Sequence, residues 1–263
     1  MPSDTPIELA PAKLTLGLRI TGRRPNGYHE LATVMTTVSL CDEVSLIDEP
    51  LVVVEDPTGR ITRLERAYGA IPRDDRNIAL RALRLAGEQR GVRIVKRIPF
   101  GAGLGGGSAD AAAVLRLFEY EPTDEELLSL GADVPFCYRG GRAFVSGVGE
   151  WMDFQPRVRE RYVLILVPLL VATSEVYRIF DQLVPDDSLD NQLWNAACMV
   201  EPRLRIIAHE IHELTTERPR LAGSGSTMFL PGSVEDYPEL SRRAHVPVRI
   251  AGMLVEFVDV VTV

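Results

Sequence analysis

The sequence predicts an α+β fold with a strand-rich first half and a more helical second half. Segments in which apolar and polar residues alternate, the period of a β-strand, dominate the first half. From residue 173 onward, three segments have the apolar spacing of amphipathic helices. With 263 residues the chain can form one large domain or two lobes, and no repeat or low-complexity linker interrupts it.

The composition excludes several classes of function. Apolar residues make up 46% and charged residues 25% of the chain, which is typical of a globular protein rather than a disordered one. The net charge of −8 and the scattered arginines argue against a nucleic-acid partner, which needs clustered cations. Three distant cysteines without a C-x-x-C motif predict reduced thiols. Neither a signal peptide nor a membrane span is recognisable, so we expect a cytoplasmic protein with no membrane partner.

The first elements are predicted strands. Leu14, Leu16, Leu18 and Ile20 alternate with polar residues, which predicts a half-buried strand with Lys13 on its polar face. A Pro-Asn-Gly turn follows and is predicted to place Tyr28 and His29 at the edge of the next element. Further strands are predicted over 43–50, 51–56 and 92–98, and a helix over 77–91 that Gly91 ends.

Helices and strands alternate after residue 100. The alanine-rich segment SADAAAVLRLFEY predicts a helix with Ser108 or Asp110 near its start. A capping box of Thr123 and Glu126 predicts a short second helix, which leaves Asp133 in the loop just past it. The remaining segments predict a hairpin, a core strand, three helices and two final strand segments: GRAFVSGVGEWM, RYVLILVP, SEVYRIFDQL, NQLWNAACMV, RLRIIAHEIHEL, LAGSGSTMFL and VRIAGMLVEFVDVVTV.

The glycine-rich stretch RIPFGAGLGGGSADAAAVL contains G-x-G-x-x-G, the pattern of dinucleotide-binding loops. Pro99 and Phe100 interrupt the strand before it and no second βα unit follows, which argues against such a loop. A Walker A loop is excluded because no G-K-[ST] follows. Five glycines within 101–107 let backbone N–H groups turn toward an anion, and Ser108 opens a helix whose dipole favours that anion. The stretch therefore predicts a phosphate cradle, with a flexible turn as the alternative.

Three segments resemble the signature motifs of the GHMP kinases, the superfamily of galactokinase, homoserine kinase, mevalonate kinase and phosphomevalonate kinase. APAKLTLGLRITGRRPNGYHEL is similar to the first motif, PFGAGLGGGSADAA to the second and LAGSGSTMFL to the third. The Gly-Tyr-His-Glu turn, the triple glycine and LGADVPFCYRGGRAFVSGVGE resemble the branch that phosphorylates the 2-hydroxyl of a cytidyl diphosphate in the non-mevalonate isoprenoid pathway. The resemblance covers nearly the whole chain. It implies a ribosomal-protein-S5-like N-terminal lobe over residues 1–155 and a ferredoxin-like C-terminal lobe over 156–263.

The resemblance also implies catalytic residues. Asp133 matches the catalytic aspartate of the superfamily and would accept the proton of the acceptor hydroxyl. Lys13 matches the catalytic lysine and would stabilise charge between the acceptor oxygen and the phosphate. Taken alone, Asp133 could equally cap a turn and Lys13 could be a solvated strand residue.

ATP is the phosphoryl donor that the resemblance implies, with Mg²⁺ as cofactor. Asn77 and Lys96 would flank the adenine, the phosphates would lie over the glycines, and Ser108 would help to position Mg²⁺; no carboxylate ligand for the metal is identifiable. Thr227 has two open interpretations, contact with the transferring phosphate and plain packing. The predicted ATP-binding residues are Asn77, Lys96, Pro99, Phe100, Gly101, Ala102, Gly103, Leu104, Gly105, Gly106, Gly107, Ser108 and Ala109.

The acceptor implied by the resemblance is a small cytidyl diphosphate molecule. Tyr28 and His29 match the cytidine-recognition turn, where an aromatic ring stacks on cytosine and a histidine reads its edge. Tyr177 falls where the superfamily branch has a second aromatic residue, with Thr173 beside it, although a core aromatic on an amphipathic helix would look the same. His209 and His212 have H-E-x-H spacing instead of the zinc motif H-E-x-x-H, so we expect a solvated helix face there and no metal site.

Two alternatives remain open at the level of sequence. One is another small-molecule GHMP kinase of the homoserine or mevalonate type, and the other is a nucleotide-binding module without catalytic activity. The segment over 116–130 is shorter than is usual in the branch, and the chain ends soon after the third motif, which leaves room for a different acceptor. We expect a monomer or a weak homodimer.

Overall fold

The structure is a computed structural model and describes residues 6–242 and 247–263. In these residues eleven strands form two sheets. The strands of the first sheet are β1 (Ile7–Arg23), β2 (His29–Ile47), β3 (Val52–Glu55), β4 (Gly91–Val95), β5 (Arg142–Gly147) and β6 (Trp151–Gln155). Those of the second are β7 (Arg161–Leu166), β8 (Arg220–Leu221), β9 (Met228–Pro231), β10 (Val248–Ile250) and β11 (Met253–Val261).

The long strand β2 organises the first sheet. It pairs antiparallel with β1 along one edge, and with β5 and then β4 on successive stretches of the other edge. β3 adds to β4 as a parallel neighbour and β6 adds to β5 as an antiparallel one. The second sheet is antiparallel, with the order β10-β11-β7-β9-β8.

Helices cover both sheets. Those between the strands of the first sheet are α1 (Arg60–Tyr68), α2 (Ile78–Leu85), α3 (Gly106–Leu117), α4 (Asp124–Leu130) and α5 (Val134–Arg139). Those of the second half are α6 (Thr173–Phe180), α7 (Trp194–Val200), α8 (Arg203–Thr215) and the single turn α9 (Pro238–Ser241). Within the described ranges, no helix combines the length and the apolar character that a membrane span requires.

Three groups of buried apolar residues hold these layers together. One lies between the first sheet and α2 and α3, and another lies between the second sheet and α6, α7 and α8. A third group joins the two sheets directly, because Leu14 of β1 and Leu104 of the glycine loop pack with Leu164 of β7 and Phe229 of β9. Apolar packing is therefore continuous from the first sheet to the second.

The predicted α+β class is confirmed, including the strand-rich first half and the more helical second half. The hairpin over β5 and β6, the core strand β7 and the three helices α6, α7 and α8 are also found. The lobe boundary between residues 155 and 156 falls in the segment between β6 and β7 and stays a prediction.

Strand β1 differs from its prediction. Lys13 and Thr15 are almost fully buried, at 6% and 1% exposure, so this stretch is covered on both faces and is not half-buried. On the polar face the glycine loop packs against the side chain of Lys13. The alternation of residues within β1 could not indicate this contact. Lys13 is therefore a buried cation beneath a loop, which makes its ion-pair partner important.

Two helix bounds also differ from the prediction. Helix α2 ends at Leu85 because Gly87 adopts a left-handed conformation with φ of 80°, and Gly91 begins β4. Helix α3 begins at Gly106, before Ser108, with Gly105 at its N-cap in the left-handed region (φ 68°). The glycines thus form the first turn of α3 as well as the loop before it.

Candidate active site

A cleft of about 970 Å³ opens between the two sheets and contains most of the predicted site residues. The glycine loop and Ile78 line one end, and the turn before β2 together with α6 lines the other. Predicted residues on its wall are Lys13, Tyr28, His29, Pro99, Phe100, Gly101, Ala102, Gly103, Gly105, Gly106, Gly107, Ser108, Asp133, Thr173 and Tyr177.

Lys13 and Asp133 meet in the middle of this cleft. Lys13 Nζ lies 3.4 Å from Asp133 Oδ2 and donates a hydrogen bond of 3.2 Å to Thr15 Oγ1. Asp133 occupies the N-cap position of α5, but its side chain makes no capping hydrogen bond. The alternative that Asp133 is a capping carboxylate is therefore not supported, and its carboxylate faces the lysine, with one third of the side chain exposed to the cleft.

Two glycines leave room for the Lys13 side chain. A Cβ placed on Gly105 would lie 2.8 Å from Lys13 Cγ, which is closer than side chains tolerate. A Cβ on Gly223, in the third glycine-rich segment, would lie 3.5 Å from Lys13 Nζ. The ammonium is thus enclosed by backbone from both glycine-rich segments and directed toward Asp133.

The glycine loop is held from two directions. The N–H group of Lys13 donates to Leu104 O at 3.0 Å, and the N–H group of Thr227 donates to Ala102 O at 3.2 Å. The first-turn N–H groups of α3 have no partner within the helix, so they and the helix dipole favour an anion at the cleft surface. Leu104 and Ala109 do not line the cleft; both are buried in the apolar packing beneath the loop.

Lys96 lies beneath the loop and does not reach the cleft. Its Nζ lies 2.5 Å from Asp42 Oδ2 and 2.7 Å from Asp110 Oδ2, and all three side chains are buried. Two buried carboxylates hold the ammonium group of Lys96 away from the lined cleft, and its contact with the adenine stays a prediction. A Cβ on Gly106 would lie 3.2 Å from Lys96 Nζ, so the ion triad supports the first turn of α3 from below.

The two carboxylates of this triad differ in their surroundings. Asp42 Oδ1 accepts hydrogen bonds from the N–H groups of Arg97 and Ile98, whereas Asp110 Oδ1 has no partner among the described residues. Burial raises the pKa of Asp110 to about 8, partly opposed by Lys96 and supported by the charge of Asp42. Burial lowers the pKa of Lys96, but the attraction of Asp110 and Asp42 outweighs it and raises that pKa overall. Asp110 is thus the carboxyl of the triad whose burial favours the protonated form.

Asn77 caps helix α2. Its Oδ1 accepts from Ala79 N at 3.0 Å and its Nδ2 donates to Pro72 O at 2.9 Å. The next residue, Ile78, lines the cleft and is a neighbour of Gly107. The side chain of Asn77 is therefore committed to the backbone, and its contact with adenine stays a prediction.

The other end of the cleft carries aromatic rings. Tyr28 is 66% exposed on the turn before β2. The ring of His29 stacks on Tyr177, with centroids 4.9 Å apart and planes 30° apart, and meets the edge of Phe180 at 6.2 Å. Tyr177 therefore lines the cleft and also packs on a neighbouring ring, and its contact with the acceptor stays a prediction.

Ser224 and Asp181 line the cleft but were not among the predicted site residues. Ser224 Oγ forms a hydrogen bond of 2.8 Å with Thr173 Oγ1 and so connects the third glycine-rich segment to α6. Asp181, just past α6, lies beside both His29 and Arg23. Thr227 is fully buried and does not line the cleft, which favours the packing interpretation for it. The place of Ser224 in the third motif could have identified it as a site residue from the sequence. The residues around Asp181 carry no such motif.

Other reactive groups are unsuited to catalysis. Burial raises the pKa of Tyr177 to about 12, and the charge of Asp133 adds to this effect. Burial also raises the pKa of the Cys137 thiol, and the three cysteines are free. His209 and His212 are exposed on α8, and the described part of the chain holds no cluster of three or more His, Cys, Asp or Glu side chains able to hold a metal. Among the described residues that line the cleft, the carboxylates are Asp133 and Asp181, and Asp133 is the one paired with Lys13.

The fold and the cleft define a class of enzyme. Residues 76–142, which include the glycine loop and Asp133, match the sequence profile described as GHMP kinases N terminal domain. A crystal structure of 4-(cytidine 5'-diphospho)-2C-methyl-D-erythritol kinase superposes on this chain with a TM-score of 0.70 at 30% identity, covering 98% of this chain and 100% of that one. The protein is an ATP-dependent small-molecule kinase with the two-lobe α+β fold of the GHMP kinases.

Curated relatives define the branch. The 4-diphosphocytidyl-2-C-methyl-D-erythritol kinase of Bacillus pumilus is 34% identical over 258 residues, covering 85% of this chain and 86% of that protein. The enzyme of the same name from Clostridium beijerinckii is 38% identical over 254 residues, covering 83% and 88%. The chain belongs to the 4-diphosphocytidyl-2-C-methyl-D-erythritol kinase family.

Proposed function

We propose that this kinase transfers the γ-phosphoryl group of ATP to the 2-hydroxyl of 4-diphosphocytidyl-2-C-methyl-D-erythritol, a step of the non-mevalonate isoprenoid pathway. The two relatives described above are kinases that are named for this acceptor. The Lys13–Asp133 ion pair is the observation that carries the proposal. It lies between the glycine loop and the Tyr28–His29 turn, which is where a group moving from ATP to a cytidyl acceptor would have to pass.

In the proposed reaction Asp133 accepts the proton of the acceptor hydroxyl as the oxygen attacks the γ-phosphorus. The bond from the γ-phosphorus to the bridging oxygen breaks, and ADP leaves. Lys13 lies close enough to Asp133 to balance its charge and to stabilise the negative charge that develops on the transferring group. Because Lys13 is enclosed by backbone, it is already oriented and needs little reorganisation.

The nucleotide phosphates would lie over the first turn of α3, because residues 106–108 line the cleft and the N–H groups of a first helical turn have no partner within the helix. Mg²⁺ takes oxygen ligands, of which substrate phosphates and water supply most in kinase sites, and this end of the cleft offers the hydroxyl oxygen of Ser108. We assign Ser108 as the residue that would help to hold it, with a hydroxyl on the cleft wall. The metal would neutralise phosphate charge; the chain itself supplies the N–H groups, the ammonium and the base.

The cytidyl end of the acceptor would bind at Tyr28, His29 and Tyr177. Tyr28 is exposed and free to stack on a base, and Tyr177 offers a second ring across the cleft. Thr173 and Ser224 form a polar contact between this end and the phosphate end. The monomeric or weakly dimeric state stays a prediction.

The test is ADP release from Mg-ATP with 4-diphosphocytidyl-2-C-methyl-D-erythritol, run beside homoserine, mevalonate and galactose. We expect turnover with the cytidyl compound alone. Turnover with another acceptor but not with this one would overturn the proposal in favour of a different GHMP kinase. Absence of turnover with all four, in protein that binds ATP, would favour the non-catalytic module.

A further inference from the structure

Asp181 is the partner of His29 at the acceptor end of the cleft. His29 Nε2 lies 2.6 Å from Asp181 Oδ1, and the side chain of His29 is only 10% exposed. Arg23 Nη1 lies 3.3 Å from the other oxygen of the same carboxylate. Asp181 thus faces one cation and one imidazole, with a separate oxygen for each.

The contact determines where the imidazole carries its proton. An ionised carboxylate only accepts hydrogen bonds, so the nitrogen that faces it must donate. The tautomer of a histidine is set in this way by the bond that one ring nitrogen makes. With the proton on Nε2, the neutral ring offers a lone pair at Nδ1, which has no hydrogen-bond partner within residues 6–242 and 247–263.

The orientation of the ring is also fixed. Tyr177 stacks on His29 and Phe180 meets it edge-on, and both residues lie on α6. Asp181 follows Phe180 and lies four residues after Tyr177, so all three contacts come from one face of the same turn. A single helical turn therefore sets both the direction of the ring and its protonated nitrogen.

We infer that Asp181 is the positioning residue that makes this site select cytosine over uracil. This inference rests on the proposed function, in which His29 reads the edge of the base. A lone pair at Nδ1 accepts from the exocyclic amino group of cytosine, whereas uracil carries a carbonyl oxygen at the same place, and two acceptors repel. The opposite tautomer would present N–H and reverse this preference. Arg23 contributes by occupying the second oxygen of Asp181, which keeps the first oxygen available to His29.

The first test measures the tautomer directly. The chain has four histidines, so labelling histidine with ¹⁵N gives few signals, and His29→Gln identifies the signal of His29 by its loss. We expect a protonated Nε2 and an unprotonated Nδ1 at neutral pH in the wild type. A proton on Nδ1, in a neutral ring or in an imidazolium, would overturn the inference. This measurement needs no substrate and no turnover.

The second test measures base preference by calorimetry with cytidine diphosphate and uridine diphosphate. We expect the wild type to bind the cytidine compound at least about tenfold more tightly, since the uridine compound leaves a hydrogen bond unmade. Asp181→Asn should reduce this ratio to about two or less, because an amide can either accept from Nε2 or donate to it and so permits both tautomers. With the cytidyl alcohol as substrate, KM should rise while kcat at saturation changes little. Glu213→Gln, which removes an exposed charge on α8, is the control and should keep the wild-type ratio.

The possible outcomes distinguish base reading by His29 from the positioning role of Asp181. A wild type with no preference between the two diphosphates would contradict base reading by His29 and with it the acceptor proposed above. A wild type that prefers the cytidine compound, together with an Asp181→Asn variant that keeps this preference, would overturn the role of Asp181 alone.

Discussion

Gly103 lies directly against the carbonyl oxygen of Ala222, at the place where the second and third glycine-rich segments touch. A Cβ placed on Gly103 would lie 2.2 Å from that oxygen and 3.0 Å from the carbonyl oxygen of Gly225. Gly103 also has φ of 76°, in the left-handed region. Glycine is therefore required here by close backbone approach as well as by conformation.

Substitution of this glycine tests the phosphate cradle. We expect Gly103→Ala to move the loop, to raise KM for ATP at least about tenfold and to lower the free energy of unfolding, because the oxygen in the way belongs to backbone. Gly59→Ala is a matched control, with φ of 71° and no atom within 4 Å of its Cβ. It should show only the cost of the left-handed conformation, about 1 kcal/mol, and leave KM for ATP unchanged. Equal effects of the two substitutions would contradict the role of close approach.

Asp133→Asn tests the proposed base. The amide keeps the shape of the side chain but cannot accept the hydroxyl proton, so we expect turnover to fall by about 10²- to 10⁴-fold. Affinity for ATP, measured by calorimetry, should change little because the proposed position of the phosphates is over α3. Glu125→Gln, an exposed change of the same charge on α4, should retain turnover. Normal turnover of Asp133→Asn would mean that another group accepts the proton.

Tyr28→Ala tests the stacking surface for the base. Stacking on an aromatic ring contributes about 1–3 kcal/mol, so we expect KM for the cytidyl acceptor to rise by roughly 5- to 150-fold. KM for ATP should not change, and neither should the unfolding midpoint, since Tyr28 is 66% exposed. A rise of both KM values together would indicate a general disturbance of the cleft.

Lys96→Met tests the buried triad beneath the loop. Removal of the ammonium leaves Asp42 and Asp110 buried without their cation, so we expect a loss of about 3 kcal/mol or more in denaturant unfolding. Arg93→Met removes a cation three residues earlier, from a surface pair with Glu55, and should change stability far less. Equal losses of unfolding free energy in the two variants would show that the buried triad stabilises the fold no more than the surface pair does.

The raised pKa of Asp110 predicts a pH-dependent stability difference. Between about pH 4 and 8 the folded protein binds a proton at Asp110 that the unfolded chain has released, so this residue's contribution to stability falls as the pH rises. Asp110→Asn cannot titrate. The stability of the wild type relative to this variant should therefore decrease from pH 5 to pH 8, by at most about 1.4 kcal/mol per unit. The exposed Glu121→Gln serves as control, and a difference for Asp110→Asn that stays constant over this range would refute the assignment.

Local patterns predicted most of the helices and strands, and the family resemblance pointed to Lys13 and Asp133, which the structure brings together. Neither indicated which distant segments would cover a given side chain. The capping box of Thr123 and Glu126 is found with both of its hydrogen bonds, because it depends only on neighbouring residues. The glycine-rich stretch likewise predicted an anion site from neighbouring residues alone. The burial of Lys96 between two carboxylates was not predicted, because alternation in a strand does not reveal which distant residues pack against it, and these come from β2 and α3.

The acceptor end illustrates the same limit. Tyr28 and His29 were recognised from a turn and a motif, and both lie in the cleft. Asp181 was not, because its pairing with His29 joins a turn in the first sheet to a helix in the second half of the chain. Only the assembled fold brings these residues together.

The glycine loop is hydrogen-bonded to β1 through Lys13 N and to the residue before β9 through Thr227 N. It therefore connects the two sheets, and any sliding of one sheet past the other would distort the proposed site for ATP. Conversely, nucleotide bound on the loop resists that sliding. The two halves of the chain should consequently unfold as one cooperative unit in the presence of ATP, with a single heat-absorption peak that moves to higher temperature as nucleotide is added.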